Sequence, residues 1–205
     1  MKKQHDTLQI LFIRHAETNY NDIGNRDPSD GELTPNGELQ CAYLGEKLKE
    51  LPIDAYITSS LLRSFKTAVG VCNAKPDKPL LEICSELIEC GCTPGYFGCS
   101  EEYLQRYYKN TKMCENLFGT EKHEFGCETF EDNVIRAEKI ISYIKNRFSY
   151  GDRVAVFSHH GFLEYLIPTA LGVNPHVFRF SLDNVSVSVV EFCRDGNIVL
   201  RCVNK

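Results

Sequence analysis

Residues 8–15 read Leu-Gln-Ile-Leu-Phe-Ile-Arg-His, an apolar run that ends in two basic side chains. A short apolar run of this kind is typical of a buried β-strand. Two further runs have the same form: residues 54–58 precede Ser59, Ser60 and then Arg63, and residues 153–157 precede Ser-His-His at 158–160. A helical pattern comes after each of the three runs. This alternation predicts parallel strands that are connected by helices.

Helix signals separate the predicted strands. Thr34, Pro35 and Glu38 provide an N-cap, a proline at the first helical position and an acidic first turn for a helix that should end near Leu51. Apolar residues at alternating steps of four and three predict an amphipathic helix of about five turns over residues 130–148. Further elements are predicted as helices over 61–72 and 161–171, a short strand over 80–83, and a hairpin of 185–192 and 197–203.

The order of these elements predicts the fold class. Strands alternate with helices along most of the chain, and a hairpin comes last. We therefore expect an α/β fold, a three-layer sandwich in which a mostly parallel open sheet has helices on both faces and an antiparallel edge.

Residues 90–128 interrupt the alternation of strands and helices. They contain glycines and tyrosines but no long apolar period. We expect this segment to form an insertion, or cap, over one end of the sheet, within a single domain that spans residues 1–205. Its aromatic side chains could stack on a substrate, although we favour the interpretation that they form the cap's own core. These residues are Tyr96, Phe97, Tyr103, Tyr107 and Tyr108.

Composition and charge limit the class of protein. The 205 residues are 42% hydrophobic and 25% charged, which is typical of a soluble globular domain. A net charge of -5 argues against binding of nucleic acid or an anionic membrane through the overall field of the protein. No apolar run is long enough for a signal sequence or a membrane span, so we expect a cytoplasmic protein whose ten cysteines are thiols. A zinc site at Cys84, Cys90, Cys92 and Cys99 is the alternative, but their spacings lack a paired C-x2-C motif.

Four side chains suited to phosphate chemistry follow the three long predicted strands. Ligands of open α/β sheets bind at the carboxyl ends of the strands, so these side chains should converge on one crevice. Arginines can bind phosphate oxygens in a bidentate manner, and a histidine can act as a nucleophile or a donor. Each residue taken alone could equally have a structural role. Together they form a phosphoryl-transfer site that lacks only an acid for the leaving group: Arg14, His15, Arg63 and His159.

The segments that carry these residues resemble the signatures of a known family. Residues 14–21, Arg-His-Ala-Glu-Thr-Asn-Tyr-Asn, resemble the R-H-G-E-[ST]-x-x-N motif of the histidine phosphatase superfamily, the phosphoglycerate mutase-like enzymes, with Ala16 in place of the usual glycine. Residues 33–40 resemble L-T-x-x-G-x-x-Q, residues 59–63 resemble S-x-L-x-R, and residues 158–159 resemble a late S-H pair. The resemblance extends from about residue 8 to residue 192 and implies a phosphoglycerate mutase-like fold.

The resemblance implies a histidine acid phosphatase-type enzyme that hydrolyses phosphomonoesters without a metal or another cofactor. His15 would attack phosphorus and become a phosphohistidine, which water would then hydrolyse. Arg14, Arg63 and His159 would stabilise the charge on the transferred group. The same resemblance implies a substrate-binding role for Asn21.

The leaving-group acid is assigned on a partial match. Family members carry a glutamate in a pattern similar to L-x-E-x-x-x-G, and here Leu87 and Glu89 match its start, whereas the glycine comes early, at Gly91. Glu89 is the preferred acid and Glu86 the reserve. The chosen carboxyl must hold a proton near neutral pH, which burial or the charge of a bound phosphate would favour.

Two other functions remain open on the sequence. The mutase branch of the family carries a stretch similar to N-E-R-H-Y-G, which is absent at residues 85–91, and few cations lie between Leu87 and Glu128 to hold a bisphosphate. A protein that has lost turnover could instead bind a phosphorylated ligand or partner. We favour the phosphatase, with a small phosphomonoester or a phosphoprotein as substrate. The sequence leaves homo-oligomerisation open.

Overall fold

A seven-stranded sheet forms the centre of the protein in a computed structural model. The structure describes residues 6–19, 31–92, 94–119, 125–177 and 180–205. The strand order is β4-β3-β2-β5-β1-β6-β7. The strands are β1 (Thr7–Arg14), β2 (Ala55–Thr58), β3 (Leu81–Ile83), β4 (Thr111–Met113), β5 (Arg153–Ser158), β6 (Val187–Cys193) and β7 (Ile198–Cys202).

Five strands run parallel and two run antiparallel at one edge. β1 pairs with β5, β5 with β2, β2 with β3, and β3 with β4 in parallel. β6 pairs with β1 and with β7 in antiparallel orientation. The register places Arg14 opposite Ser158 and Phe157 opposite Thr58, so β1, β5 and β2 end side by side. The predicted mostly parallel sheet with an antiparallel edge is confirmed.

Helices cover both faces of the sheet. They are α1 (Pro35–Leu48), α2 (Leu62–Ala74), α3 (Glu101–Leu104), α4 (Phe130–Arg147) and α5 (His160–Leu171), and a 3-10 helix spans Ser85–Leu87. Successive residues of a strand point to opposite faces. On β1, Ile10 and Phe12 therefore pack in one cluster with α4 and α5, whereas Leu11 and Ile13 pack in a second cluster with α1 and α2. The predicted three-layer sandwich is confirmed.

The segment expected as an insertion also contributes to the sheet. Its strand β4 adds to the edge formed by β3, and the backbone N–H of Cys114 donates to the carbonyl oxygen of Ile83 at 2.7 Å. The sequence did not predict this strand, because the three residues Thr-Lys-Met contain no apolar run. Pairing with an existing edge stabilises a strand that its own composition would not specify.

The cap is fastened to the end of β2 through Ser60. Its Oγ donates to the carbonyl oxygen of Phe97 at 2.8 Å, and its own carbonyl accepts from the N–H of Cys99 at 2.9 Å. Gly98 has φ +83°, and a Cβ there would lie 2.1 Å from the Ser60 Oγ, so only glycine fits. The aromatic residues of the cap differ in burial. Tyr96 and Tyr108 pack into hydrophobic clusters, whereas Phe97 is 47% exposed.

The start of α1 holds the loop that follows β1. Thr34 Oγ1 accepts from the N–H of Gly37 at 2.9 Å and donates to Glu17 Oε1 at 2.5 Å. The helix approaches the Glu17 backbone so closely that a Cβ on Gly37 would lie 2.2 Å from the Glu17 carbonyl oxygen. The glycine of the L-T-x-x-G-x-x-Q pattern is therefore required by packing.

Replacement of Gly37 tests this close approach. We expect Gly37→Ala to lower the free energy of unfolding by about 1–3 kcal/mol, because the added methyl group must displace backbone atoms. Asn36→Ala is the matched control on the same helix turn, where the side chain is exposed and a change of less than about 1 kcal/mol is expected. Urea unfolding of both variants checks the prediction. Equal stabilities of the two variants would contradict it.

Candidate active site

A cavity of about 490 Å³ opens beside the ends of β1 and β5. This is the edge at which open α/β sheets bind their ligands. Two arginines, two histidines and two carboxylates take part in its lining. The lining residues are Arg14, His15, Arg63, Glu89, Cys90, His160, Gly161, Ser181, Leu182 and Asp183.

His15 follows directly after β1, and its side chain is 3% exposed. Its Nδ1 lies 2.7 Å from the carbonyl oxygen of Ala16. Because a carbonyl oxygen only accepts, Nδ1 of the neutral ring must carry the hydrogen, which leaves the lone pair on Nε2. Burial lowers the pKa of His15 well below 6.5, and the charges of Arg63 and Arg14 lower it further, against the opposing hydrogen bond to Ala16. The imidazole is therefore neutral, with a defined tautomer.

His159 lies behind His15, as the N-cap residue of α5. The centroids of the two rings are 5.1 Å apart, and His159 Nε2 is 2.9 Å from Ser59 Oγ. Burial lowers the pKa of His159 well below its ordinary value, and the neighbouring charge of Arg63 acts in the same direction. The structure thus brings both predicted histidines together as neutral rings, although His159 does not itself line the cavity.

The two predicted arginines approach the cavity from different elements. Arg63 lies in the first turn of α2 and is 2% exposed. Arg14 ends β1, and its Nη1 donates to the carbonyl oxygen of Leu182 at 2.5 Å. Burial lowers the pKa of Arg14, whereas the charges of Glu89 and Asp183 raise it. An arginine so partnered keeps its charge at neutral pH.

The structure separates the two candidate acids. Glu89 lines the cavity, and its carboxylate accepts from the N–H groups of Cys90 at 2.9 Å, Gly161 at 3.2 Å and Phe162 at 2.8 Å. Two of these donors belong to the first turn of α5, where helix N–H groups lack partners within the helix. Glu86 is buried elsewhere, and its Oε1 accepts from the N–H of Leu117 at 2.8 Å.

The remaining signature positions have a clear structural account, with one exception. Ala16 is buried against Leu33 and Cys41, and its N–H donates to Thr67 Oγ1 at 2.9 Å. The usual glycine is therefore replaced without disturbing the backbone around His15. Asn21, expected to bind substrate, lies outside the described residues.

The loop between α5 and β6 supports the end of β1, and no sequence pattern predicted this contact. Asn184 Nδ2 donates to the carbonyl oxygen of His15 at 2.9 Å, and the N–H of Val185 donates to that of Arg14 at 3.2 Å. Val185 has φ +55°, which is strained for a β-branched residue. No sequence motif marks this support, because it joins segments that are about 170 residues apart.

Two of the cysteines considered as zinc ligands donate hydrogen bonds within the protein. Cys90 Sγ donates to Asn133 Oδ1 at 3.0 Å, and Cys92 Sγ donates to the carbonyl oxygen of Glu89 at 3.1 Å. All ten cysteines are free. Within the described ranges, no group of three or more histidine, cysteine or acidic residues could hold a metal ion. The helices of the same ranges are all too short or too polar to cross a membrane.

The buried histidines make the stability of the fold depend on pH. In the folded chain the pKa values of His15 and His159 lie below 6.5, so the unfolded chain binds more protons once the pH falls below about 6.5. The free energy of unfolding should therefore fall between about pH 6.5 and pH 5, by at most about 1.4 kcal/mol per pH unit for each histidine. Urea unfolding of the wild type and of His159→Gln measures this effect. We expect a shallower pH dependence in the variant, and an identical dependence would contradict the assignment.

Relatives with similar sequences cover nearly the whole chain. Phosphoserine phosphatase 1 from Hydrogenobacter thermophilus is 25% identical over 197 residues, which are 95% of this chain and 91% of that protein. The protein named "Probable phosphoglycerate mutase GpmB" from Salmonella paratyphi A is 27% identical over 192 residues, which are 90% of this chain and 85% of that protein. The sequence is thus similar to proteins of both the phosphatase and the mutase type.

Solved structures and a family model also match nearly the whole chain. Alpha-ribazole phosphatase from Shigella flexneri has a TM-score of 0.72 at 20% identity, covering 97% of this chain and 96% of that chain. Phosphoserine phosphatase from Entamoeba histolytica, in complex with 3-phosphoglyceric acid, has a TM-score of 0.64 at 22% identity, covering 97% of both chains. These likenesses confirm the phosphoglycerate mutase-like fold. The model of the histidine phosphatase superfamily (branch 1) matches residues 10–205, and the chain therefore belongs to that superfamily.

Proposed function

We propose that the protein hydrolyses phosphomonoesters through a phosphohistidine on His15, without a metal ion. The observation that carries this proposal is the state of His15: a buried, neutral imidazole whose Nδ1 donates to Ala16 and whose Nε2 keeps its lone pair. Arg14 and Arg63 line the same cavity. A neutral nucleophile between fixed cations is what in-line attack on a phosphate dianion requires.

In the first step Nε2 of His15 forms a bond to phosphorus while the bond from phosphorus to the ester oxygen breaks. Arg14 and Arg63 lie where their guanidinium groups can bind the equatorial oxygens in a bidentate manner. His159, 5.1 Å from His15 between ring centroids, would add a further donor. Removal of one such preorganised donor costs about 10²–10³ in rate.

Glu89 is the proposed proton donor to the leaving oxygen. Its carboxylate lies on the cavity wall, where three backbone N–H groups hold it in place. After the alcohol leaves, the same carboxylate would accept a proton from the water that attacks the phosphohistidine. Inorganic phosphate would then be released, and His15 would again be neutral.

The substrate we propose is a small phosphorylated metabolite. The cavity of about 490 Å³ has the size of a pocket for a small ligand. Glu89 and Asp183 offset the charges of the two arginines, which favours one phosphate group over several. Relatives named as phosphoserine phosphatases support the same class, and we make O-phosphoserine the first candidate. Ten free cysteines are consistent with a reducing compartment, and we propose a cytoplasmic enzyme of the histidine acid phosphatase type.

Replacement of His15 tests the proposed nucleophile. We expect His15→Ala to lower turnover of 4-nitrophenyl phosphate by at least about 10³-fold, because the variant lacks the imidazole that we propose forms the covalent intermediate. His176→Ala removes an exposed histidine far from the cavity lining and is the matched control, with turnover close to that of the wild type. Assays with excess EDTA should give the same rates.

Three results would contradict the proposal. Turnover that EDTA abolishes would indicate a metal-dependent site, and turnover that survives in His15→Ala would indicate another nucleophile. Absence of turnover in the wild type would favour the mutase, which is tested by phosphate exchange between 2- and 3-phosphoglycerate, or a phosphate-binding protein without catalysis. Radiolabelled phosphate bound to the denatured protein in an acid-labile form would detect the intermediate directly.

A further inference from the structure

Arg136 on α4 has a fully buried guanidinium outside the cavity. Its Nε lies 2.7 Å from Glu128 Oε1, and its Nη2 donates to Glu128 Oε2 at 2.8 Å. The Glu128 side chain is 2% exposed. Removal of two charges from water is costly, and such a pair is retained only where further hydrogen bonds satisfy its donors. The partners of those further hydrogen bonds therefore identify the segment that the pair stabilises.

One further hydrogen bond of Arg136 goes to Asn133 Oδ1 on the same helix, at 2.7 Å, and two lead to the segment that carries Glu89. Nη1 donates to the carbonyl oxygen of Glu86 at 2.9 Å and to that of Ile88 at 2.7 Å. Ile88 immediately precedes Glu89 in the chain. Because this segment lies between the 3-10 helix and the cap, it has no ladder of strand hydrogen bonds to fix it. Arg136 donates to its backbone and, together with the Ser158 hydroxyl that donates to the carbonyl oxygen of Leu87 at 2.8 Å, helps to fix it.

The same guanidinium contacts the helix turn that binds the Glu89 carboxylate. Its central carbon lies 3.7 Å from the centroid of the Phe162 ring. The backbone N–H of Phe162 donates to Glu89 Oε1 at 2.8 Å. Arg136 therefore contacts both the residue before Glu89 and a residue that holds the carboxylate in place, although it does not line the cavity.

We infer that the buried Arg136–Glu128 pair is a positioning device for Glu89, fixing the carboxylate where it delivers a proton to the leaving oxygen. The inference rests on the proposed function and adds to it a residue pair that never touches the substrate. Lysine cannot replace Arg136 here, because the site uses donors in a planar fork that contact a carboxylate and two carbonyl groups at once.

The choice of leaving group distinguishes a positioning role from a structural one. The leaving group of an alkyl phosphate such as O-phosphoserine is a strongly basic alkoxide, which needs a proton from an acid as it departs. The leaving group of 4-nitrophenyl phosphate is 4-nitrophenolate, which departs readily without one. Displacement of Glu89 should therefore slow the alkyl phosphate selectively. Damage to the fold, or to the arginines and histidines of the cavity, should slow both substrates alike.

The experiment compares kcat/KM for O-phosphoserine and 4-nitrophenyl phosphate in Arg136→Lys and in the reference variant Glu89→Gln, because kcat/KM reports the steps up to release of the alcohol and excludes the hydrolysis of the phosphohistidine that both substrates share. We expect Arg136→Lys to lower the alkyl rate about 10- to 100-fold and the aryl rate less than about 3-fold, in the same direction as Glu89→Gln. The matched control is Arg153→Lys, at the other end of β5, where a buried arginine donates to Pro52 and Gln9. Its ratio of the two rates should equal that of the wild type.

The outcomes separate this inference from the proposed function. Equal losses on both substrates in Arg136→Lys, with a changed ratio in Glu89→Gln, would overturn the positioning role and leave Glu89 as the acid. An unchanged ratio in Glu89→Gln would overturn the assignment of the acid and the inference with it. Absence of turnover in the wild type would overturn both. If Arg136→Lys does not fold, Glu128→Gln tests the inference instead, because it keeps the shape of the pair and removes one charge. An unchanged ratio of the alkyl to the aryl rate in Glu128→Gln would count against the inference.

Discussion

Parallel pairing of β1 with β5 and of β5 with β2 is the constraint on which the candidate site depends. The register sets Arg14 beside Ser158 and Phe157 beside Thr58, so three segments that are distant in sequence leave the sheet at one edge. His15, Ser59 and His159 are the next residues on these three paths. A slip of one residue would turn each side chain to the opposite face. A slip would require two different clusters to repack at once, because Ile10 and Phe12 pack with α4 and α5 whereas Leu11 and Ile13 pack with α1 and α2.

Burial at this edge produces the electrostatic state of the site. Burial lowers the pKa of His15 and His159, so Arg14 and Arg63, rather than these two imidazoles, carry positive charge beside His15. Glu89 and Asp183 interact electrostatically with Arg14 in the cavity. An arriving phosphate dianion would compete with the carboxylates for the same guanidinium groups. Substrate binding would therefore change the electrostatic interaction between Arg14 and Glu89.

The sequence predicts the strands and helices that carry the site residues better than it predicts the contacts that hold those elements in place. Apolar runs mark β1, β2 and β5, so the locations of His15, Arg63 and His159 at strand or helix ends follow from local pattern. Strand β4 is not predicted, because its pairing with β3 stabilises it and its own composition does not. Arg136 is the harder case. A charged residue on an amphipathic helix is normally solvated, and its burial depends on Glu128 and on carbonyl groups about 50 residues away.

The attachment of the cap has an evolutionary consequence. Leu61, Ile88, Cys92 and Phe125 form a small hydrophobic cluster of their own, separate from the two clusters that flank the sheet. Ser60 and Gly98 join the cap to the end of β2 by backbone and hydroxyl contacts that do not depend on the cap's outer side chains. Substitutions around the exposed Phe97 can therefore accumulate without loss of the fold. The outer surface of this segment is therefore freer to change in sequence than the sheet that positions His15 and the two arginines.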